Sequence, residues 1–290
     1  MNNKLILGTV QLGLDYGINN TNGRPSISDS FDILNCAFDN GIRILDTAEG
    51  YGESQEVIGA FHKKFPNKIF NVISKISAAT IKNNEKVSTR IKNNLKILGV
   101  ERLEGYMFHN FSSLKENSLI YEQLIKAKRD GLIAKIGASL YGIDELREVT
   151  EKYDFDFVQL PFNMLDNENI RAESLREAKK RGIEIHTRSV FLQGLFFKET
   201  DEIPESLNLL VAHLKEIKSI SLENEIEMQD MALSYATSRN YIDNVLIGVD
   251  STEQLLLNLN ANKQNLPLDV IKKINKIKVA EINLLNPFNW

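Results

Sequence analysis

Short apolar runs alternate with amphipathic segments along almost the whole chain, and this alternation constrains the fold more than any single motif. The runs that read as strands are LILGTV near the start, IRIL (42–45), FNVISK (70–75), LEGYMFH (103–109), IAKIGA (133–138), FDFVQL (155–160), IEIHTR (183–188) and NVLIG (244–248). Between them, apolar positions recur at helical spacing. Phe31, Leu34, Ala37 and Phe38 share one face of a helix over 28–40, and Val87, Ile91, Leu95 and Leu98 mark another. Further helices are expected over 54–64, 118–130, 143–153, 168–181, 252–262 and 268–280, with one or two more filling 205–238. Asn40-Gly41 and Gly131 supply stop signals. Every crossover is long enough to hold a helix, so the strands should run parallel. Eight such units make a (β/α)8 TIM barrel, and 290 residues is an ordinary length for one. The rival, a doubly wound open sheet, usually carries a Gly-rich loop after its first strand, and the chain has no GxGxxG. No linker, low-complexity tract or repeat period interrupts the series. Residues 1–290 are therefore expected to form a single barrel domain.

In such barrels the C-terminal ends of the strands carry the active site. Read in order, those ends give Asp46 after IRIL, Lys75 closing FNVISK and His109 after YMF, with Tyr51 in the loop that follows Asp46. Each has an ordinary alternative. Asp46 could cap a helix, Tyr51 could sit in a surface turn, Lys75 could be solvated, and His109 could be a satisfied core-edge histidine. Their convergence from three adjacent strand ends argues for shared chemistry. A phenol is a poor acid at neutral pH. A nearby ammonium stabilises its conjugate base, and a carboxylate beside that ammonium keeps it charged. An imidazole can orient a substrate oxygen. Such a set is suited to protonating a carbonyl oxygen while hydride reaches its carbon.

Other features exclude competing classes. The net charge of -4 gives no reason to expect nucleic acid or an anionic membrane as partner. No apolar run is long enough to span a bilayer, and the N-terminus lacks the long apolar region of a signal peptide. The one cysteine, Cys36, rules out an internal disulfide framework and is expected to be buried and inert. These features point to the reducing cytoplasm. His62, His186 and His213 are isolated, without metal-ligand spacing, so no metal site is expected. HKKFPNK (62–68) reads as a solvated loop.

At DTAEGYGESQEVIG the chain resembles the aldo-keto reductases, whose most characteristic motif is an Asp-Thr-Ala run followed by Tyr-Gly and a helix ending in Gly. The resemblance assigns that family's catalytic tetrad to Asp46, Tyr51, Lys75 and His109. It continues in order across nearly the whole chain. LGTVQLG (7–13), with Thr9, is similar to the first-strand segment beside the cofactor, where Asp46 also lies. IGAS (136–139) and VQLPFNMLD (158–166) resemble the strands whose Ser and Gln, here Ser139 and Gln159, hold the nicotinamide carboxamide. TRSVFLQGLF (187–196), with Arg188, Ser189 and Gly194, resembles the segment under the nicotinamide and pyrophosphate. IGVDSTEQLLLN (247–258), with Gly248, Asp250, Gln254 and Asn258, resembles the loop and helix at the adenosine phosphate end. The implied cofactor is NADP(H) or NAD(H), and the implied activity is reduction of an aldehyde or ketone to an alcohol.

The chain departs from the family pattern at three places. Ser139 precedes Leu140 where Ser-Asn is common, so one amide contact is in question. Arg188 stands where many members stack a Tyr on the nicotinamide, and a planar guanidinium can also stack. The adenosine stretch has Asp250 and Gln254 and neither Lys nor Arg, which keeps NAD open beside NADP. Ser251-Thr252-Glu253-Gln254 also reads as a capping box for the last barrel helix.

The segment after His109 and the C-terminal tail are short, implying an open pocket for a small-molecule substrate such as a keto-sugar, free or nucleotide-linked. Phe191, Phe196 and Phe197 are candidates for an aromatic wall. The tail Pro287–Trp290 is expected to dock on the barrel bottom in preference to approaching the site. Two other functions share these features. One is a nicotinamide-binding regulatory subunit of the same fold. The other is a barrel lyase forming a Schiff base at Lys75, which would need that amine uncharged.

Overall fold

A computed structural model describes residues 3–18, 20, 23–76, 86–261 and 265–290. Eight strands, β1 (Leu5–Gly8), β2 (Ile44–Asp46), β3 (Asn71–Ile76), β4 (Leu103–Phe108), β5 (Ile133–Ser139), β6 (Phe157–Pro161), β7 (Glu184–Arg188) and β8 (Asn244–Gly248), close into a barrel in sequence order. All eight interfaces are parallel, and β1 closes the ring on β8 with Gly8 opposite Gly248.

The helices follow in alternation: α1 (Ile27–Asp39), α2 (Ser54–Lys64), α3 (Val87–Leu98), α4 (Phe111–Glu116), α5 (Ser118–Arg129), α6 (Ile143–Lys152), α7 (Glu168–Lys180), α8 (Val211–Glu223), α9 (Met228–Thr237), α10 (Thr252–Ala261) and α11 (Leu268–Ile274). The chain is thus a single-domain (β/α)8 barrel.

Local chemistry sets the helix ends. Ser26 caps α1 by accepting the Asp29 N–H at 3.2 Å, and Gly41, at φ 85°, lets the chain turn away after it. The helix faces picked out by periodicity are the buried ones, including Phe31, Leu34 and Ala37 on α1 and Val87, Ile91, Leu95 and Leu98 on α3. These form a continuous apolar layer between the helices and the outer face of the barrel. A second, smaller core of Ile6, Ile73, Met107 and Phe157 fills the barrel itself. Phe157 occupies that space because β5 carries Gly137, where a Cβ would sit 2.6 Å from its ring.

Several expectations are corrected. β2 begins later than IRIL suggests and ends on Asp46 itself. The short segment after His109 folds as a helix. Asn110 caps α4 by accepting the Ser113 N–H at 2.8 Å. The helix expected over 268–280 stops at Ile274, because the Asn167 side chain donates to the carbonyls of Ile274 (3.1 Å) and Ile277 (3.0 Å). Residue 262, the expected end of α10, lies outside the described residues.

Cys36 is only partly buried, at the edge of the α1 stripe, and its thiol pKa is raised by desolvation. His62, placed by sequence in a solvated loop, is buried on α2. It contacts the Leu98 carbonyl at 2.7 Å and accepts the Phe70 N–H at 3.1 Å. The tail folds into short 3-10 turns, and Trp290 packs on the core while its indole donates to the Leu284 carbonyl at 2.9 Å.

Candidate active site

Side chains on a strand alternate between faces, so the residue two positions beyond each interior residue also points inward. Applied to Ile6, Ile44, Ile73, Met107, Gly137, Phe157, His186 and Leu246, this places Gly8, Asp46, Lys75, His109, Ser139, Gln159, Arg188 and Gly248 together at the C-terminal mouth of the barrel. Asp46 lies in register with Ile73, and Lys75 with Met107.

Lys75 is the hub of the mouth. Only 1% exposed, its ammonium donates to Asp46 Oδ1 in a short contact, to the Thr47 carbonyl at 3.1 Å and to the Tyr51 hydroxyl at 3.3 Å. It also lies 4.8 Å from the centre of the Tyr51 ring. Burial alone would lower its pKa, but Asp46 and Tyr51 outweigh that and raise it, so the amine stays charged. The other oxygen of Asp46 accepts from Gln159 Nε2 at 2.8 Å. His109 packs edge-on against Tyr51 with ring centres 5.7 Å apart. Burial, with the Lys75 charge beside it, lowers the imidazole pKa to about 4. His109 is therefore neutral at physiological pH.

The Tyr51 loop is set by close backbone approach. Thr47 N donates to Ile73 O and Glu49 N to Lys75 O, which extends the β2–β3 pairing past Asp46. The loop then turns back beneath the segment after β1. A Cβ on Gly13 would fall 1.9 Å from the Tyr51 carbonyl, so only glycine fits there.

A cleft of about 450 Å³ runs from Tyr51 across the mouth to β8 and α10. Of the residues that the sequence associates with a cofactor, Gln159, Arg188, Ser189, Gly194, Gly248, Asp250, Gln254 and Asn258 line it. Three others are placed differently. Asp46 and Ser139 are buried behind the wall. Thr9 is fully buried, and its hydroxyl donates to the Asp46 carbonyl (2.9 Å) and accepts from Ser54 (2.8 Å). Arg188 lies over Tyr141, its guanidinium carbon 4.2 Å from the ring centre, and donates to the Leu140 carbonyl at 3.2 Å. Gln254 makes half of the expected capping box: its N–H donates to Ser251 Oγ at 3.2 Å, but its side chain accepts the Asp250 N–H, also at 3.2 Å, and not that of Ser251.

Sequence reasoning missed Gln11, Tyr16, Asn20, Gln193 and Gln229 on the cleft wall. Gln193 donates to the Tyr16 hydroxyl at 3.0 Å, joining the loop after β1 to the loop after β7. Ser189, Leu192 and Gln193 all have positive φ, a conformation unusual for residues with a Cβ and concentrated at functional sites. Gln11 Oε1 and Asp250 Oδ1 are buried acceptors on cleft residues with no protein donor among the described residues. Among the described residues no group of three or more His, Cys, Asp or Glu could hold a metal ion, and no helix is long and apolar enough to cross a membrane.

Residues 4–279 match the family model described as the aldo/keto reductase family. The chain is 24% identical over 152 residues to aldo-keto reductase YhdN of Bacillus subtilis (strain 168), a match covering 48% of this chain and 45% of that protein. The match thus spans less than half of that relative's length. Among solved structures, aldo-keto reductase AKR11C1 from Bacillus halodurans in its holo form superposes with a TM-score of 0.77 at 18% identity, over 95% of this chain and 92% of that one. Its apo form gives 0.70 at 18% identity, over 92% and 90%. At that identity the structural likeness speaks for the fold.

Proposed function

The chain belongs to the aldo/keto reductase family, and we propose that it is an NAD(P)H-dependent oxidoreductase that reduces an aldehyde or ketone to an alcohol by direct hydride transfer. The observation that carries the reading is the placement of one buried ammonium, on Lys75, against both the Asp46 carboxylate and the Tyr51 hydroxyl.

In this reading Tyr51 gives its proton to the substrate oxygen, and Lys75 stabilises the charge left on the tyrosine oxygen. Asp46 holds Lys75 in place and keeps it charged. Neutral His109, beside Tyr51, hydrogen-bonds the substrate oxygen and orients it. When bound, the reduced nicotinamide supplies the hydride. The residues present suit such a nucleotide. Gln159 and Arg188, with Ser139 buried behind them, would hold its nicotinamide end, Ser189 and Gly194 its pyrophosphate, and Gly248, Asp250, Gln254 and Asn258 its adenosine. The buried acceptors on Gln11 and Asp250 favour a ligand rich in amide and hydroxyl donors. Thr9 acts behind the wall, fixing the Asp46 backbone.

A Schiff base at Lys75 would require the neutral amine, and the Asp46 contact favours the ammonium. The mixture of amide side chains with Tyr16, Phe191 and Phe197 on the cleft wall suits a polar carbonyl compound such as a keto-sugar, free or nucleotide-linked. The single cysteine accords with work in a reducing cytoplasm.

The test is a fluorescence titration of NADPH against NADH, followed by a panel of carbonyl substrates with and without Tyr51→Phe. Loss of the hydroxyl should cut turnover by about 10²–10⁴ while nucleotide affinity holds. Turnover within a few-fold of the parent would remove Tyr51 from the role of acid. Nucleotide binding without turnover of any carbonyl would favour a regulatory subunit.

A further inference from the structure

Tyr51 is held by a side-chain network outside the cleft. Glu49, two residues before it, turns its largely buried carboxylate away from the mouth and beneath α3. There Oε2 accepts from Arg90 Nε at 3.1 Å and from Arg90 Nη2 in a shorter contact. Oε1 accepts from Asn94 Nδ2 at 2.9 Å and from the Tyr106 hydroxyl in another short contact. On the far side of Tyr51, Gln55 in the first turn of α2 donates from Nε2 to Asn94 Oδ1 at 2.7 Å and to Ser74 Oγ at 2.9 Å. Ser74, the neighbour of Lys75, also donates to Asn94 Oδ1 at 3.3 Å.

Asn94, 5% exposed, therefore receives both flanks of the Tyr51 loop and the backbone neighbour of Lys75 on a single amide group. A side-chain amide has both donors and an acceptor, which is what this junction uses. A carboxylate with the guanidinium, amide and phenol as partners is a satisfied buried charge, and removing one partner leaves the others unmatched. Helices built on a barrel hold a site more rigidly than a loop alone. None of these six side chains lines the cleft.

We infer that Glu49 and Asn94 are positioning residues, which hold the Tyr51 loop against α3 so that the phenol stays on the Lys75 ammonium. The inference rests on the reading of Tyr51 as general acid. In this arrangement substrate and nucleotide never touch Glu49 or Asn94. Their loss should act on the chemical step and leave nucleotide binding alone.

The experiment compares Glu49→Gln, Asn94→Leu and Tyr106→Phe with the parent protein. The readouts are kcat, the pH profile of kcat, the dissociation constant for reduced nicotinamide nucleotide, and far-ultraviolet circular dichroism. Misplacing a reacting group by about 1 Å can cost about 10² in rate. Glu49→Gln and Asn94→Leu should lose roughly 10- to 100-fold in kcat, and Tyr106→Phe several-fold, with nucleotide affinity unchanged within about twofold. The basic limb of the kcat profile should move as the phenol leaves the ammonium. Folded variants with parental kcat overturn the inference. So does a fall in kcat matched by equal loss of nucleotide affinity with no movement of the profile, which marks a general structural role. If Asn94→Leu does not fold, the two milder variants decide. Tyr51→Phe separates the two failures: if it is active, the acid assignment falls, whereas if it is dead and the three variants are fully active, only the positioning role falls.

Discussion

Gln159 and Asp46 stand 113 positions apart in the chain and share a 2.8 Å hydrogen bond across the barrel mouth. With Lys75 on the other oxygen, the bond leaves the buried carboxylate satisfied at both ends. It also gives the Gln159 amide a partner inside the protein as well as a face on the cleft.

Gln159→Met keeps the volume and removes the amide. Leaving a buried acceptor unmatched costs about 1–3 kcal/mol, so the denaturation midpoint should fall. If the same amide also meets the nucleotide, the dissociation constant should rise about 3- to 10-fold, the worth of one ordinary hydrogen bond. Denaturant titration and nucleotide fluorescence check the two parts separately. Lost stability with unchanged affinity would confine Gln159 to supporting Asp46.

Lys75→Met should lower both rate and stability. It leaves the Asp46 charge buried with Gln159 as its remaining side-chain donor. Breaking a buried pair by removing one partner typically costs about 3–5 kcal/mol. Adding Asp46→Asn removes the stranded charge, so the double variant should recover much of the stability and none of the turnover. Recovery of turnover would show that the ammonium is dispensable for the chemistry.

Much of this geometry was legible beforehand, and the reason is specific. A strand repeats every two residues, and barrel chemistry gathers where strands end, so Asp46, Lys75 and His109 could be read from three short runs. Tyr51 followed from its distance along one loop. The rest depends on contacts that no period encodes. Thr9 was read as a cofactor contact, but its hydroxyl faces Ser54, 45 positions away. Gln11, Tyr16 and Gln193 reach the cleft from irregular loops, and the path of the last is bent by positive φ at Ser189, Leu192 and Gln193. The early end of α11 depends on Asn167, 107 positions from the Ile274 carbonyl that it captures. Glu49 carries no sequence signal of its own inside the motif, because its partners are supplied by α3 and β4.

His109 should make stability depend on pH. Its folded pKa, lowered to about 4, lies below the ordinary value of 6.5, so between these the unfolded chain takes up a proton that the folded protein refuses. This contribution to stability is complete above pH 6.5 and is lost as pH falls toward 4. The ceiling is about 3 kcal/mol for a shift of this size, reduced by the part of the ring that stays exposed. His62, whose pKa is also lowered by burial, adds a loss of the same sign that likewise begins as pH falls through 6.5. His109→Gln should flatten the slope of stability against pH there and leave the His62 share. An unchanged slope would mean that His109 is solvated and titrates normally.

Cofactor choice turns on the adenosine end of the cleft. Asp250 lines both the cleft and a neighbouring cavity of about 380 Å³, which is also bordered by Asp29, Asp32 and Glu253. Among the described residues the one basic side chain on that cavity, Arg24, is paired with Glu53 at 2.7 Å. Gln254 carries no charge, and its side-chain oxygen is engaged by the Asp250 N–H. A ribose with free hydroxyls can donate to the buried Asp250 Oδ1, whereas a 2′-phosphate placed there would meet carboxylates. NADH should therefore bind at least as tightly as NADPH. Asp250→Ser with Gln254→Arg should shift the ratio of the two dissociation constants toward NADPH. A charge-assisted bond to phosphate is worth about 1.5–3 kcal/mol, or roughly ten- to a hundredfold. The capping role of Gln254 adds a second expectation: the arginine variant should lose a little stability at the start of α10, because the Asp250 N–H loses its acceptor. A parent strongly selective for NADPH would place the phosphate on other donors. A ratio unmoved by the double substitution would mean that this loop does not meet the ribose.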